Sequence, residues 1–299
     1  MRLRTSRTSR TMTGMRKMNN PYLINEPATI SFSGGRTSGY MLWKILDAHD
    51  GQLPDYLPVT FANTGKEMTQ TLDFVQACSV HWGVDITWLE CLARPGEEDE
   101  NKYVYETREV DYESASRNGE PFESLIVARQ YLPNPVARFC TQELKVYRIR
   151  DWMKNKFGNT DWGNIIGIRA DEQRRAAKLR KESRNILPLV DDNVSVKEVY
   201  EFWTEQNFDL ELPNNNGVTD WGNCDLCFLK GFNKKLSIVQ ARPDLVDWWS
   251  EMETKVGKGQ KAGTFRSDQP SYKDMKMIAT DQGSLFGYDD ESIPCFCGD

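Results

Sequence analysis

A strand-like run, a glycine-bearing loop and a helix-forming run follow one another twice near the start of the chain, and that order constrains the fold more than any other feature. Ala28-Thr-Ile-Ser-Phe32 is short and apolar, SGGRTSG follows it, and Tyr40 to Leu46 has the apolar density of a packed helix. Val59 to Ala62 then reads as a second strand and Asn63-Thr64-Gly65 as a turn. Leu72, Val75, Ser79 and Trp82 mark a helix that stops at Gly83. Asp85 to Leu89 reads as a third strand. Strands that alternate with helices in this way predict an α/β fold: a doubly wound, mostly parallel sheet with helices on both faces.

Further along, Pro95 to Glu120 is polar and acidic without a clear period and reads as a surface insertion. Pro121 to Tyr131 and Cys140 to Phe157 read as helices, the second ended by Gly158, and Asn164 to Arg169 as a strand containing Gly167. Ser195-Val-Lys-Glu198 is a capping box that opens a helix through Asn207. Gly257 to Pro294 is rich in Gly, Ser, Lys and Asp and reads as a long loop or lid. No internal repeat occurs. The expected organisation is a disordered basic tail at 1–20, a nucleotide-binding α/β domain at 21–210, and a C-terminal cysteine-containing extension at 211–299 packed on it.

The chain has 299 residues and 39% apolar content, enough for a sizeable core. Its 44 acids against 38 bases give a net charge of −6, which offers no general attraction for a nucleic-acid backbone, so a nucleic-acid partner is not favoured. Five arginines and Lys17 fall within residues 1–18, and without them the remainder stands at 32 bases against 44 acids, or −12. For that tail three readings stand: an arm for nucleic acid or a membrane surface, a targeting peptide, or translation from an upstream start, with Met12, Met15 and Met18 as alternatives. No apolar run is long enough to span a bilayer and no secretory signal is seen, so the expectation is a cytoplasmic protein without a membrane partner. The seven cysteines do not resemble a disulfide framework. With only His49 and His81 present, a three-histidine zinc site is excluded.

Ser33-Gly34-Gly35-Arg36-Thr37-Ser38 lies where a strand's carboxyl end meets a helix N-terminus, a place that suits an anion. It is neither the kinase-type phosphate loop nor the dinucleotide fingerprint. It resembles the PP-loop, SGGxTS, of the adenine-nucleotide α-hydrolase-like superfamily. Phe61-Ala-Asn63-Thr64-Gly65-Lys-Glu67, with Thr71 and Phe74, resembles the FxDTGxxFxET signature of the phosphoadenosine phosphosulfate (PAPS) reductase family, with Asn63 in place of the usual Asp. Arg138-Phe-Cys140-Thr-Gln-Glu-Leu-Lys145 and Gly167-Ile-Arg169-Ala-Asp171-Glu172 resemble two further segments of that family. The resemblance spans Ile30 to Cys227. It implies an adenine nucleotide (PAPS, its unphosphorylated relative APS, or ATP) held by Ser33 to Ser38 and by Asn63, Thr64 and Gly65, with Lys145 and Arg169 as catalytic cations. Arg36, Arg174 and Arg175 are further candidate cations, and the last two also read as a solvated basic stretch.

Cys224-Asp-Leu-Cys227 is a CxxC, a pair shared by zinc, iron–sulfur and redox sites. The iron–sulfur branch of the resembling family implies a site built from Cys140, Cys224 and Cys227 with a fourth thiolate from Cys295 or Cys297. A 4Fe-4S cluster is the expectation and zinc the alternative. Cys78 and Cys91 read as buried apolar residues. Cys297-Gly298 resembles the segment that carries the family's nucleophile, which attacks the sulfonucleotide sulfur so that a thiol reductant, such as a thioredoxin, can release sulfite. A second reading is an enzyme that splits ATP to adenylate a nucleic-acid or small-molecule acceptor for sulfur transfer, with magnesium on Asp171 or Glu67. A third is a nucleotide-binding partner protein without catalysis.

Overall fold

Short β-branched strands and amphipathic helices alternate through the first half of the chain as the apolar runs require, and they assemble into a single sheet. The computed structural model describes residues 20–99, 102–158, 161–256 and 263–280. In chain order the elements are β1 (Ala28–Ser31), α1 (Arg36–Ala48), β2 (Val59–Ala62), α2 (Thr69–Trp82), β3 (Ile86–Pro95), β4 (Tyr103–Val110) and α3 (Glu120–Arg129). Next, α4 (Phe139–Thr141) runs through a π-helical segment at Gln142–Val146 into α5 (Tyr147–Phe157). There follow β5 (Gly163–Ile166), α6 (Gln173–Leu179), β6 (Asn185–Ile186), α7 (Pro188–Asp191), α8 (Val196–Thr204), α9 (Phe232–Ala241), α10 (Val246–Val256) and α11 (Tyr272–Thr280).

The sheet order is β4-β3-β2-β1-β5-β6. All neighbours run parallel except β3 and β4. The chain builds outward from β1 to β3 and then returns to the other side of β1, so the winding reverses between β1 and β5. A crevice opens at such a switch point, because the connections leave the two strand ends in opposite directions. Adjacent β3 residues belong to different cores: Trp88 packs with α1, α2 and α8, whereas Leu89 packs with Trp152 and Met153 of α5. Helices therefore cover both faces. A separate cluster joins Phe122, Leu125 and Ile126 of α3 to Phe228, Phe232 and Trp249, so α9 to α11 share their core with the α/β part. Each such buried aromatic or aliphatic side chain contributes about 1.5–3 kcal/mol.

Residues 95–120 are not a featureless insertion. They contain β4, an antiparallel edge strand paired with β3 from Trp88–Val110 to Pro95–Tyr103. Its alternating charges, Glu106, Arg108 and Glu109 among them, suit an exposed edge and conceal the strand in a polarity profile. Nor is 257–294 wholly loop, since α11 forms within it and buries Tyr272 and Met275. The strand expected at 164–169 ends at Ile166, and the helix opened by Ser195 ends at Thr204 with its capping box formed. Gly167 matters for close approach: a Cβ there would stand 3.0 Å from the Cα of Ser38, so glycine lets the end of β5 reach α1. Among the described residues no helix is long and apolar enough to cross a membrane.

His49 ends α1 and accepts a hydrogen bond through Nε2 from the Ile24 amide at 3.2 Å, tying the entering segment to the helix. Burial lowers its pKa against a smaller opposing pull from Asp50. The unfolded chain thus takes up this proton first, and the folded state loses stability as pH falls below about 6.5. Chemical denaturation from pH 7 to pH 5 is expected to show that loss, with a shallower slope in His49→Gln.

Candidate functional site

The loop between β1 and α1 is ordered by its own hydroxyls. Ser38 Oγ donates to the Gly35 carbonyl at 2.9 Å and accepts from the Ser33 amide and hydroxyl at 3.2 and 2.9 Å. Gly34 adopts a φ of +79°, and a Cβ there would stand 2.7 Å from Thr71 Cγ2. Glycine is required on both counts. The α1 N-terminus has no side-chain cap, leaving its first amides to face a pocket of about 70 Å³ lined by Ser33 to Thr37, Thr71, Arg169 and the 217–223 segment. Two polar atoms of these lining residues, Arg36 Nη1 and Thr71 Oγ1, are buried without a hydrogen-bond partner. Such orphans are costly unless a ligand satisfies them.

Arg36 does not bring an uncompensated charge. Its Nε and Nη2 grip Asp209 at 2.7 and 2.6 Å, fastening the segment after α8 over the loop. Arg169 donates to Thr37 Oγ1 at 2.9 Å and pairs with Asp171 at 3.1 Å. Arg175 pairs with Glu172.

On the other side of Ser33, at the β1–β5 switch point, lies a cleft of about 530 Å³. One wall is polar: Ser31, whose hydroxyl donates to Asn164 Oδ1 at 2.6 Å, and Asn185. Val146, Ile149 and Trp162 add apolar lining, and Lys145, Arg150 and Arg184 add cations.

The turn after β2 is buried and belongs to neither of these pockets. Asn63 donates from Nδ2 to Glu90 at 2.6 Å and to the Ser116 carbonyl at 2.8 Å, and its Oδ1 accepts from the Gly65 amide at 3.1 Å. Thr64 faces a third, small cavity of about 20 Å³, lined also by Cys140, Cys224, Cys227, Phe122 and Phe228. The structure thus gathers the three expected thiols at one place. Lys145 and Thr141 line both this cavity and the cleft, and Asn223 lines both this cavity and the loop pocket. The π-helical segment carries Lys145, and such segments insert an extra residue that re-aims side chains at functional positions.

Among the described residues no three His, Cys, Asp or Glu side chains are disposed to hold a metal ion. Cys295 and Cys297 lie outside the described residues. Cys78 and Cys91 are buried and do not line the thiol cavity, although Cys91 shares its surrounding core, and burial pushes the Cys91 thiol up to about 11. Neither magnesium candidate is unengaged: Asp171 pairs with Arg169, and Glu67 accepts from Thr64 and faces Lys145 at 3.5 Å. Sequence reasoning missed Glu90, Lys66 and Asp225. Lys66 and Asp225 form a buried ion pair at 2.9 Å, and the only local signal was an acid inside the CxxC.

No protein-family model matches the chain. It is 30% identical, over 207 residues, to the uncharacterized nin region protein ORF290 of Escherichia phage lambda, a match covering 69% of this chain and 67% of that protein.

Glu90 accounts for the amide at position 63. Its carboxylate also accepts from the Ser116 amide and hydroxyl at 2.7 and 2.8 Å, so a second carboxylate at position 63 would meet it within hydrogen-bond distance and inside the fold. Asn63→Asp is expected to destabilise the protein by about 2–4 kcal/mol at pH 8, as an uncompensated buried charge does. Adding Glu90→Gln is expected to restore most of that, read by denaturant unfolding of the single and double variants.

Proposed function

We propose that this chain, which belongs to the family of the phage lambda nin region protein ORF290, binds an adenine nucleotide in the cleft and on the Ser33–Ser38 loop and reduces a sulfonucleotide, PAPS or APS, to sulfite. The observation that carries the reading is the shared lining: Ser33 joins loop pocket to cleft, and Lys145 joins cleft to thiol cavity. A nucleoside on the Ser31–Asn164 wall would direct its phosphate to the uncapped α1 amides, where Arg36 Nη1 and Thr71 Oγ1 lack partners. Lys145 and Arg169 would stabilise the charge that develops as the sulfur–oxygen bond breaks.

The resemblance to PAPS reductases supplies the nucleophile, Cys297. Its thiolate attacks the sulfate sulfur, the phosphate oxygen leaves with the bond's electron pair, and AMP or its 3′-phosphorylated form departs. A thiol reductant, of the thioredoxin kind, then takes the sulfonate off as sulfite and leaves a disulfide. The pairing of Asp171 with Arg169 supports this magnesium-free reaction over ATP cleavage.

The resemblance would place a thiolate-ligated metal centre on Cys140, Cys224 and Cys227 with Cys295, and the three described thiols, which line one cavity without being disposed around an ion, would have to close together to hold it. The family resemblance favours a 4Fe-4S cluster, with zinc as the alternative that four thiolates also suit. Such a centre would brace the CxxC against the nucleotide site.

In calorimetry AMP, APS and PAPS are expected to bind, and Gly35→Val, at a φ of −101° that any residue adopts, to abolish binding while circular dichroism stays unchanged. Incubation with APS or PAPS and a thiol is expected to release sulfite, and Cys297→Ser to stop the release while keeping nucleotide affinity. Pyrophosphate from ATP without sulfite from either sulfonucleotide would replace this reading with adenylation.

A further inference from the structure

Glu67 stands between the cleft and the thiols. Its side chain is 2% exposed, and its Oε1 lies 3.5 Å from Lys145 Nζ, the ammonium that lines both cavities. A charge-assisted bond closes to about 2.7–2.9 Å, so this pair is an attraction that an anion in the cleft can compete for. Glu67 Oε2 accepts from the Thr64 amide and hydroxyl at 2.9 and 2.8 Å. The hydroxyl has one proton, spent on that carboxylate, so toward Cys224 Sγ at 3.5 Å it presents its oxygen as an acceptor. The backbone repeats the link: Glu67 pairs with Cys224 as an antiparallel bridge, and the Asp225 amide donates to the Lys66 carbonyl at 2.8 Å.

We propose that Glu67 is a positioning residue that couples anion binding in the cleft to the CxxC thiols, through Lys145 on one side and Thr64 on the other. The proposal rests on the reading that the cleft takes an adenine nucleotide. Cys224 and Cys227 are 9% and 8% exposed, so an alkylating reagent reaches them only through local opening of the cavity wall. That wall includes Thr64 and Lys145. Opening it breaks the strap that holds Lys145 for the ligand, and a bound ligand therefore makes opening rarer, by up to the factor one plus ligand concentration over Kd. Coupling is reciprocal, so modified thiols weaken nucleotide binding by the same factor.

The test is N-ethylmaleimide labelling of Cys224 and Cys227 in the full chain, as isolated and after removal of any bound metal by chelator, followed by mass spectrometry, with and without AMP, the moiety common to APS, PAPS and ATP. At ten times its Kd, AMP is expected to slow labelling of the unsubstituted protein by about tenfold. Glu67→Gln keeps an acceptor for Thr64 and removes the charge that faces Lys145. It is expected to bind AMP in calorimetry while its protection falls below about twofold. Thr64→Val, which preserves shape and removes the hydroxyl, is expected to lose protection likewise and serves if the glutamine variant does not fold. Protection retained in variants that bind AMP would overturn the proposal and reduce the effect to shielding by the ligand. Unchanged labelling of the unsubstituted protein with AMP bound would overturn the coupling and leave the nucleotide reading standing. Absence of AMP binding would remove both.

Discussion

The buried ion pair between Lys66 and Asp225 fixes the relation between the two halves of the site. Lys66 belongs to the turn at the carboxyl end of β2, and Asp225 lies inside the CxxC, so a 2.9 Å contact joins the sheet to the segment that carries two thiols. Both side chains are almost fully enclosed, and removal of either partner would strand the other charge. The remaining valences of Asp225 are filled locally: Oδ1 accepts from the Leu226 amide at 2.6 Å and from Trp249 Nε1 at 2.7 Å, which brings in α10. Lys66 also lies over the Trp248 ring. Because both carboxylate oxygens of Asp225 are committed, the turn is held firmly to the segment that carries Cys224 and Cys227.

On this anchored turn the rest of the site is arranged by topology. The reversal between β1 and β5 opens the cleft, the uncapped N-terminus of α1 faces the adjoining pocket beyond Ser33, and the π-helical segment before α5 sets Lys145 between cleft and thiols. Arg36, buried by Asp209, holds the covering segment down and leaves one guanidinium nitrogen toward the loop pocket. Cleft, loop pocket and thiol cavity are thus built as neighbours by shared residues, Lys145 and Thr141 between cleft and thiols and Asn223 between thiols and loop.

The parts of this arrangement that were legible in the sequence are those with local causes. Two strand–loop–helix units, the glycines that end α2 and α5, and the Ser195–Glu198 capping box are each written within a few residues. The gathering of Cys140 with the CxxC was legible only through resemblance. β4 was hidden because an edge strand carries charges that mimic a loop, and α11 because a short helix amid Gly, Ser and Lys shows little periodicity. Glu90, Asp209 and Asp225 were not legible because their roles depend on partners brought together by the fold: Asn63 and Glu90 are 27 positions apart, Arg36 and Asp209 are 173 apart. No property of an isolated acid in a sequence distinguishes one that will be buried against a cation from one that will face water.

One adenine nucleotide spanning the cleft and the loop beside the thiols would carry its base against the cleft walls. Photolabelling with 8-azido-AMP followed by peptide mapping reports where that base lies. The label is expected on the cleft walls, in residues 141–150 and 162–167, with competition by unmodified AMP. Label confined to peptides outside those segments, or label that AMP does not displace, would contradict it.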